Sequence, residues 1–306
     1  MPACTSCNGQ VPEPLPIHIL IQMMTDFSVT RELGTFEFHD YPAVEHGGTR
    51  RWLARSQNFF VEWVEACHAD AVFDFASEQE TMVLVFGASA VLSAAGVTAQ
   101  ALPRSVCVLP PGQSSIKLSM GGTCAVLASQ RDDLGARLAL NQEHFLAPDP
   151  RITASTPAFR CRGDQTGIKV IPIDSFAAPA SNPRLKMLQS ATLSVNWVEY
   201  EGLRDRSALS PHSHADLEQG SLGVAGHFVH HLREAWGKNA DLWREDRHIE
   251  LASPSLMLVP VNLIHTSEGV HQEHHLLIDI FSPPRRDFIA KGWVENAGDY
   301  IDPISK

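Results

Sequence analysis

The chain has 306 residues, of which 44% are hydrophobic and 19% charged, so its composition is that of a globular protein with room for one large or two ordinary domains. The formal net charge is -11 and no basic block is present, which argues against a nucleic-acid partner. No apolar run approaches the length of a membrane-spanning helix, so we expect no membrane partner.

The first 35 residues predict an N-terminal arm rather than part of a domain. They are polar and contain prolines, apart from an apolar segment at residues 17–24 that is too short and interrupted for a signal peptide. We therefore expect a cytoplasmic protein, with the arm packed on the rest of the chain or on the partner in a homodimer. Cys4 and Cys7 form a C-x2-C pair with no second pair or His pair nearby, which favours free thiols.

Residues 36–130 predict short β-strands. Residues 59–65 alternate in apolar character, and residues 81–86 form a nearly continuous apolar run rich in β-branched side chains. Glycines and a Pro-Pro-Gly turn at residues 110–112 separate these runs. Short strands between Gly and Pro turns are typical of a sandwich or barrel rather than of βαβ units.

A proline-rich connector follows at residues 131–185. Its leucines favour a helix over residues 133–145, and residues 168–173 predict an extra strand. We therefore expect this connector to be partly helical and to separate two domains.

Residues 186–306 repeat the first β-rich segment. Residues 195–199 match residues 61–65 at an offset of 134, so Trp197 corresponds to Trp63. Residues 260–265 match residues 110–115 at an offset of 150, and most of the additional length falls in an insertion that carries Trp236 and Trp243. The repeat predicts two similar barrels, the second followed by a C-terminal tail, with the insertion shaping access to a pocket.

The second barrel contains a set of candidate metal ligands. His212 and His214 are one residue apart, so on a strand both imidazoles point to the same face. Glu218 follows after a short turn, and His265 follows a Pro-x-Asn turn on a later strand. Three imidazoles and one carboxylate suit one divalent transition metal, Fe, Mn, Ni, Cu or Zn, rather than Mg or Ca.

The pattern H-x-H-x3-E, followed later by P-x-(G/N)-x2-H, resembles the two motifs of the cupin superfamily. A Gly usually lies seven residues after the Glu in that family, whereas Gly226 lies eight after Glu218. Asn262 replaces a turn Gly, and Asn tolerates positive φ better than most residues. With the repeat, the resemblance implies an all-β bicupin of two tandem double-stranded β-helix barrels.

The first barrel lacks the corresponding imidazoles. Asp74 and Ala76 stand where the paired histidines would be, and Ser115 stands where the last one would be, although Glu80 keeps its spacing to Gly87. We therefore predict a degenerate N-terminal barrel without metal and one metal ion per chain in the C-terminal barrel.

The resemblance implies an enzyme acting on a small molecule. The leading interpretation is an Fe(II)-dependent dioxygenase of a small aromatic or enolic substrate, because four protein ligands leave two octahedral positions for substrate and O2. A metal-dependent isomerase, lyase or decarboxylase of a small acid is an alternative, with Glu218 as ligand or catalytic base. A non-catalytic, metal-stabilised ligand-binding bicupin is a third possibility.

Further residues are candidates for the pocket wall. His227 and His231 share one face of a predicted strand; if that face points into the barrel, both are catalytic proton shuttles or hydrogen-bond donors. Arg204 and Arg206 precede the first ligand motif, where an Arg at the barrel mouth could clamp a substrate carboxylate, although an exposed loop position is the favoured interpretation. Residues 283–286 are interpreted as a strand exit and subunit contact.

Overall fold

The computed structural model describes residues 33–134, 139–142, 148–163 and 167–304. Strands dominate this part of the chain, and its α-helical structure is a short helix, α1 (Arg286–Ala290). The arm before residue 33, with Cys4 and Cys7, and much of the helix predicted at residues 133–145 lie outside these ranges. No helix in the described ranges is both long and apolar enough to cross a membrane.

The strands of the first half and of the connector are, in chain order, β1 (Gly34–Glu37), β2 (Val44–His46), β3 (Thr49–Arg55), β4 (Phe60–Ala66), β5 (Ala71–Ser77), β6 (Thr81–Val85), β7 (Ala90–Ala94), β8 (Val97–Ala101), β9 (Ser105–Leu109), β10 (Gly112–Leu118), β11 (Thr123–Ala128), β12 (Arg160–Cys161) and β13 (Lys169–Pro172). Those of the second half are β14 (Lys186–Gln189), β15 (Ser194–Glu201), β16 (Gln219–Ala225), β17 (His227–Glu234), β18 (Arg247–Ala252), β19 (Ser255–Val259), β20 (Leu263–Val270), β21 (His274–Phe281) and β22 (Tyr300–Ile301).

The two halves have the same sheet topology. In the N-terminal barrel a sheet of order β13-β9-β6-β11-β4-β3-β2 faces the sheet β5-β10-β7-β8. In the C-terminal barrel the sheet β1-β19-β16-β21-β15-β14 faces β18-β17-β20. Trp63 on β4 and Trp197 on β15 occupy equivalent places, as the offset of 134 predicted. The prediction of an all-β chain with two tandem barrels is therefore confirmed.

Two strands pair with a barrel to which the predicted domain boundaries do not assign them. Strand β1 precedes the N-terminal barrel in the chain, yet Phe36 pairs with Leu256 in the C-terminal sheet. Strand β13, in the connector, pairs with β9 of the N-terminal barrel, with Ile171 opposite Val106. The expected boundary at residue 36 thus falls inside β1, and each barrel has an edge strand covered by a segment from outside its own repeat.

The two large sheets pack against each other through a shared core. Trp63, Leu84, Trp197 and Ile278 are among its buried side chains. Phe86 lies between the two tryptophans, with ring centroids 5.6 Å from each. Each large apolar side chain buried here contributes about 1.5–3 kcal/mol to stability. Because one face of each large sheet is used in this way, a one-residue step along a strand decides whether a side chain enters a barrel or the interface.

Candidate metal centre

Three of the predicted ligands come together in the C-terminal barrel. His212 and His265 are joined by two backbone hydrogen bonds, with N···O distances of 3.0 and 2.8 Å. Asn262 N donates to His214 O at 2.7 Å, and Asn262 has a φ of +64°, the left-handed conformation expected for its turn. These connections bring one imidazole nitrogen from each of the three histidines within 4.8 Å of the others.

Backbone carbonyls orient two of the imidazoles. His212 Nδ1 lies 2.9 Å from Ser210 O, and His265 Nδ1 lies 2.9 Å from Leu263 O. A carbonyl oxygen only accepts, so each Nδ1 carries the proton and each Nε2 presents a lone pair for a metal. Burial is the main cause that lowers the pKa of His265 to about 4, so its ring is neutral at pH 7.

Gln219 completes the cluster. Its side-chain oxygen lies 3.0 Å from His214 Nε2 and 3.1 Å from His265 Nε2. Its Nε2 donates to Ser221 Oγ at 2.9 Å and to Asp279 Oδ1 at 3.0 Å, which fixes the orientation of the amide toward the histidines.

The contact between Gln219 Oε1 and His265 Nε2 fits a bound cation better than a hydrogen bond. Neutral His265 has one ring proton, which it donates to Leu263 O, so two lone pairs face each other across the 3.1 Å contact. Donor atoms bound at about 2.1 Å to one octahedral ion lie about 3 Å apart. The residues present therefore fit a divalent metal held by three imidazoles and one amide oxygen.

The structure does not bring Glu218 to this cluster. Its Oε2 accepts a hydrogen bond from Gln57 N at 2.7 Å. Gln219 and Ser221 face the barrel interior, so Glu218, one residue before them, faces the other side of the sheet. Gln219 is not among the ligands predicted from the sequence. Gly226 nevertheless lies seven residues after Gln219, which is the spacing that the cupin motif has between its Glu and its Gly.

The N-terminal barrel shows what Glu218 does instead. Its counterpart Glu80 accepts a hydrogen bond from Ala191 N at 2.8 Å, and Ala191 is offset from Gln57 by the same 134 residues that separate the tryptophans. Tyr300 also donates to Glu80, at 2.9 Å. Both glutamates therefore bind backbone of the opposite repeat, and each helps to join the two halves of the molecule.

A cavity of about 200 Å³ opens beside the histidines. Arg184, Arg204 and Arg285 are among the residues that line it. For Arg204 and Arg206 the favoured expectation is an exposed loop, yet Arg204 lines the cavity, as does Arg285, which the sequence assigns to a subunit contact. Asp279 also lines the cavity, and burial raises its pKa. The other lining residues used below are Asn196, His212, Gln219, His265, Phe281 and Phe288.

His227 and His231 do not line this cavity, which corrects the prediction. Strand β17 buries Phe228, His230 and Leu232, so the intervening histidines point away from the barrel interior. His231 binds Glu268 at 2.9 Å outside the barrel. The conditional assignment therefore fails because the strand turns its other face inward, and the buried histidine is His230, whose Nδ1 lies 2.8 Å from Ser267 Oγ.

His227 belongs instead to a surface group with His271 and Glu273. One ligand atom from each lies within 4.8 Å of the others, and His227 Nδ1 is 2.8 Å from Glu273 Oε1. In the described part of the chain, this group and the three-histidine cluster are the sets with metal-binding geometry, and both belong to the C-terminal barrel.

The interior of the N-terminal barrel is apolar at the level of the cluster. Ser115 pairs with Asp74 across β10 and β5, as His265 pairs with His212. Asp74 is exposed, however, and the buried side chains of these strands are those of Phe75, Ile116 and their alternate neighbours. The predicted correspondence at Asp74 and Ser115 therefore holds for strand pairing but not for side-chain direction.

The insertion between β17 and β18 lies outside the cavity. Its two tryptophans, Trp236 and Trp243, stack on each other with centroids 4.4 Å apart and planes 6° from parallel. Arg233 and Asp246, at its ends, line a neighbouring groove that also reaches His265 and Thr266. The insertion therefore approaches the cluster from the outer side of β20.

The fold is that of a bicupin, with two cupin barrels in one chain. Similar solved structures include the oxalate decarboxylase of Lactobacillus farciminis in a formate complex, 15% identical with a TM-score of 0.56 over 82% of this chain and 86% of that chain. The oxalate decarboxylase of Bacillus subtilis, described with Mn(II) centres, is 12% identical with a TM-score of 0.56 over 90% of this chain and 86% of that chain.

A third similar structure is AerE from Microcystis aeruginosa, 9% identical with a TM-score of 0.52 over 84% of this chain and 100% of that chain. No protein-family model and no curated protein matches the sequence. At these identities the likeness establishes the fold alone, so the chemistry has to be argued from the site.

Proposed function

We propose that this chain is a metal-dependent bicupin enzyme that decarboxylates a small carboxylic acid in its C-terminal barrel. The observation that carries the proposal is that one cavity of about 200 Å³ is lined both by arginines and by His212 and His265 of the three-histidine cluster. The cavity is smaller than the roughly 300–1,000 Å³ of pockets for drug-sized ligands, which favours a substrate of few atoms.

The donor set supports an anionic substrate. His212, His214, His265 and Gln219 would hold one divalent ion, and all four ligands are neutral, so the charge of the ion is not compensated by the protein. When bound, such an ion acts as a Lewis acid toward substrate oxygens. Arg184, Arg204 and Arg285 add positive charge to the same cavity, so a carboxylate is the favoured ligand.

Asp279 is proposed to donate the proton that the reaction requires. Decarboxylation breaks a C–C bond, leaves the electron pair on the remaining carbon and requires a proton there. Burial raises the pKa of Asp279, which helps this carboxyl group to hold a proton inside the cavity. Asn196 and Ser221 donate to it at 3.2 Å each, and these bonds fix its position.

The sequence alone favours a dioxygenase over a decarboxylase, whereas the structure and the similar solved structures favour a decarboxylase. The small cavity lined by three arginines favours a small acid over an aromatic substrate. The similar solved structures named above include two oxalate decarboxylases, one of them described with Mn(II) centres. We therefore propose Mn(II) rather than Fe(II), and one metal ion per chain, because the N-terminal barrel interior is apolar at the equivalent level.

The test combines metal analysis with product analysis. Protein loaded with Mn(II) or Fe(II) is given a panel of small mono- and dicarboxylic acids, while CO2 release and O2 consumption are followed together. Release of CO2 without net O2 consumption is the expected result. Stoichiometric O2 consumption would restore the dioxygenase interpretation. Tight binding of acids without turnover in either metal form would instead identify a ligand-binding bicupin.

A further inference from the structure

The same arginine arrangement occurs once in each barrel. Arg131 follows the last strand of the N-terminal barrel, and its Nε and Nη2 bind the two carboxylate oxygens of Asp133 at 2.8 Å each. Arg285 follows β21 in the C-terminal barrel and binds Asp287 with the same atoms at the same distances. Each Asp lies two residues after its Arg, so each guanidinium is held in a similar way and has Nη1 left for a third partner.

The two arginines differ in what Nη1 binds. Arg131 Nη1 donates to Glu62 Oε2 at 2.6 Å, and both side chains are fully buried inside the N-terminal barrel. Arg285 Nη1 forms no hydrogen bond with any residue that the structure describes. The guanidinium of Arg285 is nevertheless fixed, because it packs over Phe281 and Phe288 with Cζ 4.7 and 4.0 Å from their ring centroids.

A single sequence difference accounts for the missing partner. Glu62 lies beside Trp63 on β4 and pairs with Val126, while Asn196 lies beside Trp197 on β15 and pairs with Asp279, so Glu62 and Asn196 are equivalent. Asn196 is shorter and neutral, and its Nδ2 donates to Asp279 at 3.2 Å. Where the N-terminal barrel holds a glutamate carboxylate, the C-terminal barrel has a cavity lined by both Asn196 and Arg285.

We infer that the space between Asn196 and Arg285 is a carboxylate-binding subsite, in which a carboxylate of the ligand takes the place that the Glu62 carboxylate has in the N-terminal barrel. The inference rests on the proposed function, since it assigns the substrate class of the same cavity. Charge-assisted hydrogen bonds from guanidinium to carboxylate are among the strongest available to a protein. Because Asp287 and the two phenylalanines already order the guanidinium, little freedom is lost on binding.

The subsite is continuous with the metal cluster. Asp279 contacts both Asn196 and Gln219, and the cavity that contains Arg285 also contains His212 and His265. A small acid held by one carboxylate at Arg285 therefore presents its other end to His212 and His265. This arrangement favours compounds with a second oxygen-containing group close to the first carboxylate.

The test uses a substitution that supplies the missing carboxylate within the chain. In Asn196→Glu the new side chain is expected to occupy the subsite, as Glu62 does beside Arg131, whereas Asn196→Gln has similar size and no charge. Binding of acetate and malonate to the Mn(II)-loaded protein is measured by calorimetry, with metal content and circular dichroism as controls. We expect a loss of at least about 100-fold in affinity in Asn196→Glu and a change below about threefold in Asn196→Gln.

Arg285→Met and Arg285→Lys provide a second pair in case Asn196→Glu does not fold. The Met variant should lose about 100-fold in carboxylate affinity and the Lys variant substantially less, with metal content unchanged in both. Full affinity in a folded Asn196→Glu or Arg285→Met protein would overturn the inference. Carboxylate binding that depends on Arg285 but leads to no CO2 release would support the subsite and contradict the decarboxylase proposal. CO2 release with an unchanged KM in Arg285→Met would support the decarboxylase proposal and contradict the subsite.

Discussion

The two barrels share one strand order but fill their interiors with different chemistry. The N-terminal barrel packs apolar side chains and neutralises its buried Arg131 with its own Glu62. The C-terminal barrel places polar residues at equivalent positions: Ser221 for Val83, Asp279 for Val126 and Asn196 for Glu62. Buried polar groups need partners, and the N-terminal barrel provides its own. In the C-terminal barrel, the imidazole lone pairs of the cluster and Nη1 of Arg285 are available to bind ligands.

The largest expected effect concerns the metal cluster. His265→Ala removes an imidazole that the other two histidines and Gln219 cannot replace, so bound metal and at least about 100-fold of the activity should be lost. The matched control is Ser115→Ala at the paired position in the N-terminal barrel, which should leave metal content unchanged. Metal analysis of both proteins distinguishes these outcomes, and equal loss in the two variants would show that metal loss is not specific to the three-histidine cluster.

The buried ion pair should give the next largest effect, on stability rather than on activity. Glu62→Gln removes the carboxylate that Arg131 Nη1 binds inside the N-terminal barrel and leaves the guanidinium paired with Asp133 alone, so the free energy of unfolding should fall by about 2–3 kcal/mol. Arg285→Met removes the pair with the half-exposed Asp287 and the stacking of the guanidinium on Phe281 and Phe288, which the Met side chain partly replaces, and should cost about 1 kcal/mol. Denaturant unfolding of the metal-free proteins measures both. Similar costs would contradict the distinction between a structural and a ligand-binding arginine.

Gln219 tests the fourth ligand. Gln219→Leu removes the amide oxygen and the donors to Ser221 and Asp279, so metal affinity should fall by about 10- to 100-fold. Gln219→Glu keeps an oxygen ligand and should retain the metal. Competition with a chelator gives both affinities, and unchanged affinity in the Leu variant would exclude Gln219 from the cluster.

The two interface glutamates should behave alike. Glu218→Met and Glu80→Met each remove the carboxylate acceptor of a backbone N–H, which should cost about 1–3 kcal/mol in the free energy of unfolding. Glu80→Met also removes the acceptor of the Tyr300 hydroxyl. Metal content should be normal in both. A metal-free but folded Glu218→Met protein would return this carboxylate to the site as originally predicted.

The smallest effect is a pH dependence confined to the C-terminal barrel. Burial lowers the pKa of His230 to about 3, below the value near 6.5 of an unfolded chain. The unfolded chain therefore binds more protons as pH falls below about 6.5, and folded-state stability is lost at up to about 1.4 kcal/mol per pH unit. His230→Phe should reduce the dependence of Tm on pH between 6.5 and 5 in metal-free protein by the contribution of one proton, while His265, whose pKa burial also lowers, keeps its own contribution. An unchanged slope would place the imidazole in contact with solvent.

Several features of the candidate site were within reach of the sequence. The two histidines one residue apart had to share a face on any strand, and the Pro-x-Asn turn fixed the approach of His265. Asn262 adopts the positive φ that its place in the turn predicted. The repeat of Trp63 by Trp197 established that two similar barrels follow one another. These inferences depend on local geometry and on internal repetition, which a sequence displays directly.

Other features depended on which face of a strand is covered. Glu218 and Gln219 are adjacent, and so are His230 and His231. A one-residue step moves a side chain to the opposite face of a sheet. In this molecule both faces of the large sheets are buried, one in a barrel and one between the barrels, so hydrophobicity does not mark the inner face. Packing of the sheets decides that Gln219 and His230 point inward.

The sequence by itself determined the class of fold, the duplication and the three histidines, because strand periodicity, turn residues and repeated spacing are local properties. The tertiary structure alone decided that Gln219 is the fourth member of the cluster and that Arg285 lines the cavity. It also decided that β1 pairs with the C-terminal barrel and β13 with the N-terminal barrel. These depend on contacts between residues far apart in the chain. The physical reason is that pairing of strands, not the order of residues, sets which side chains share a barrel interior.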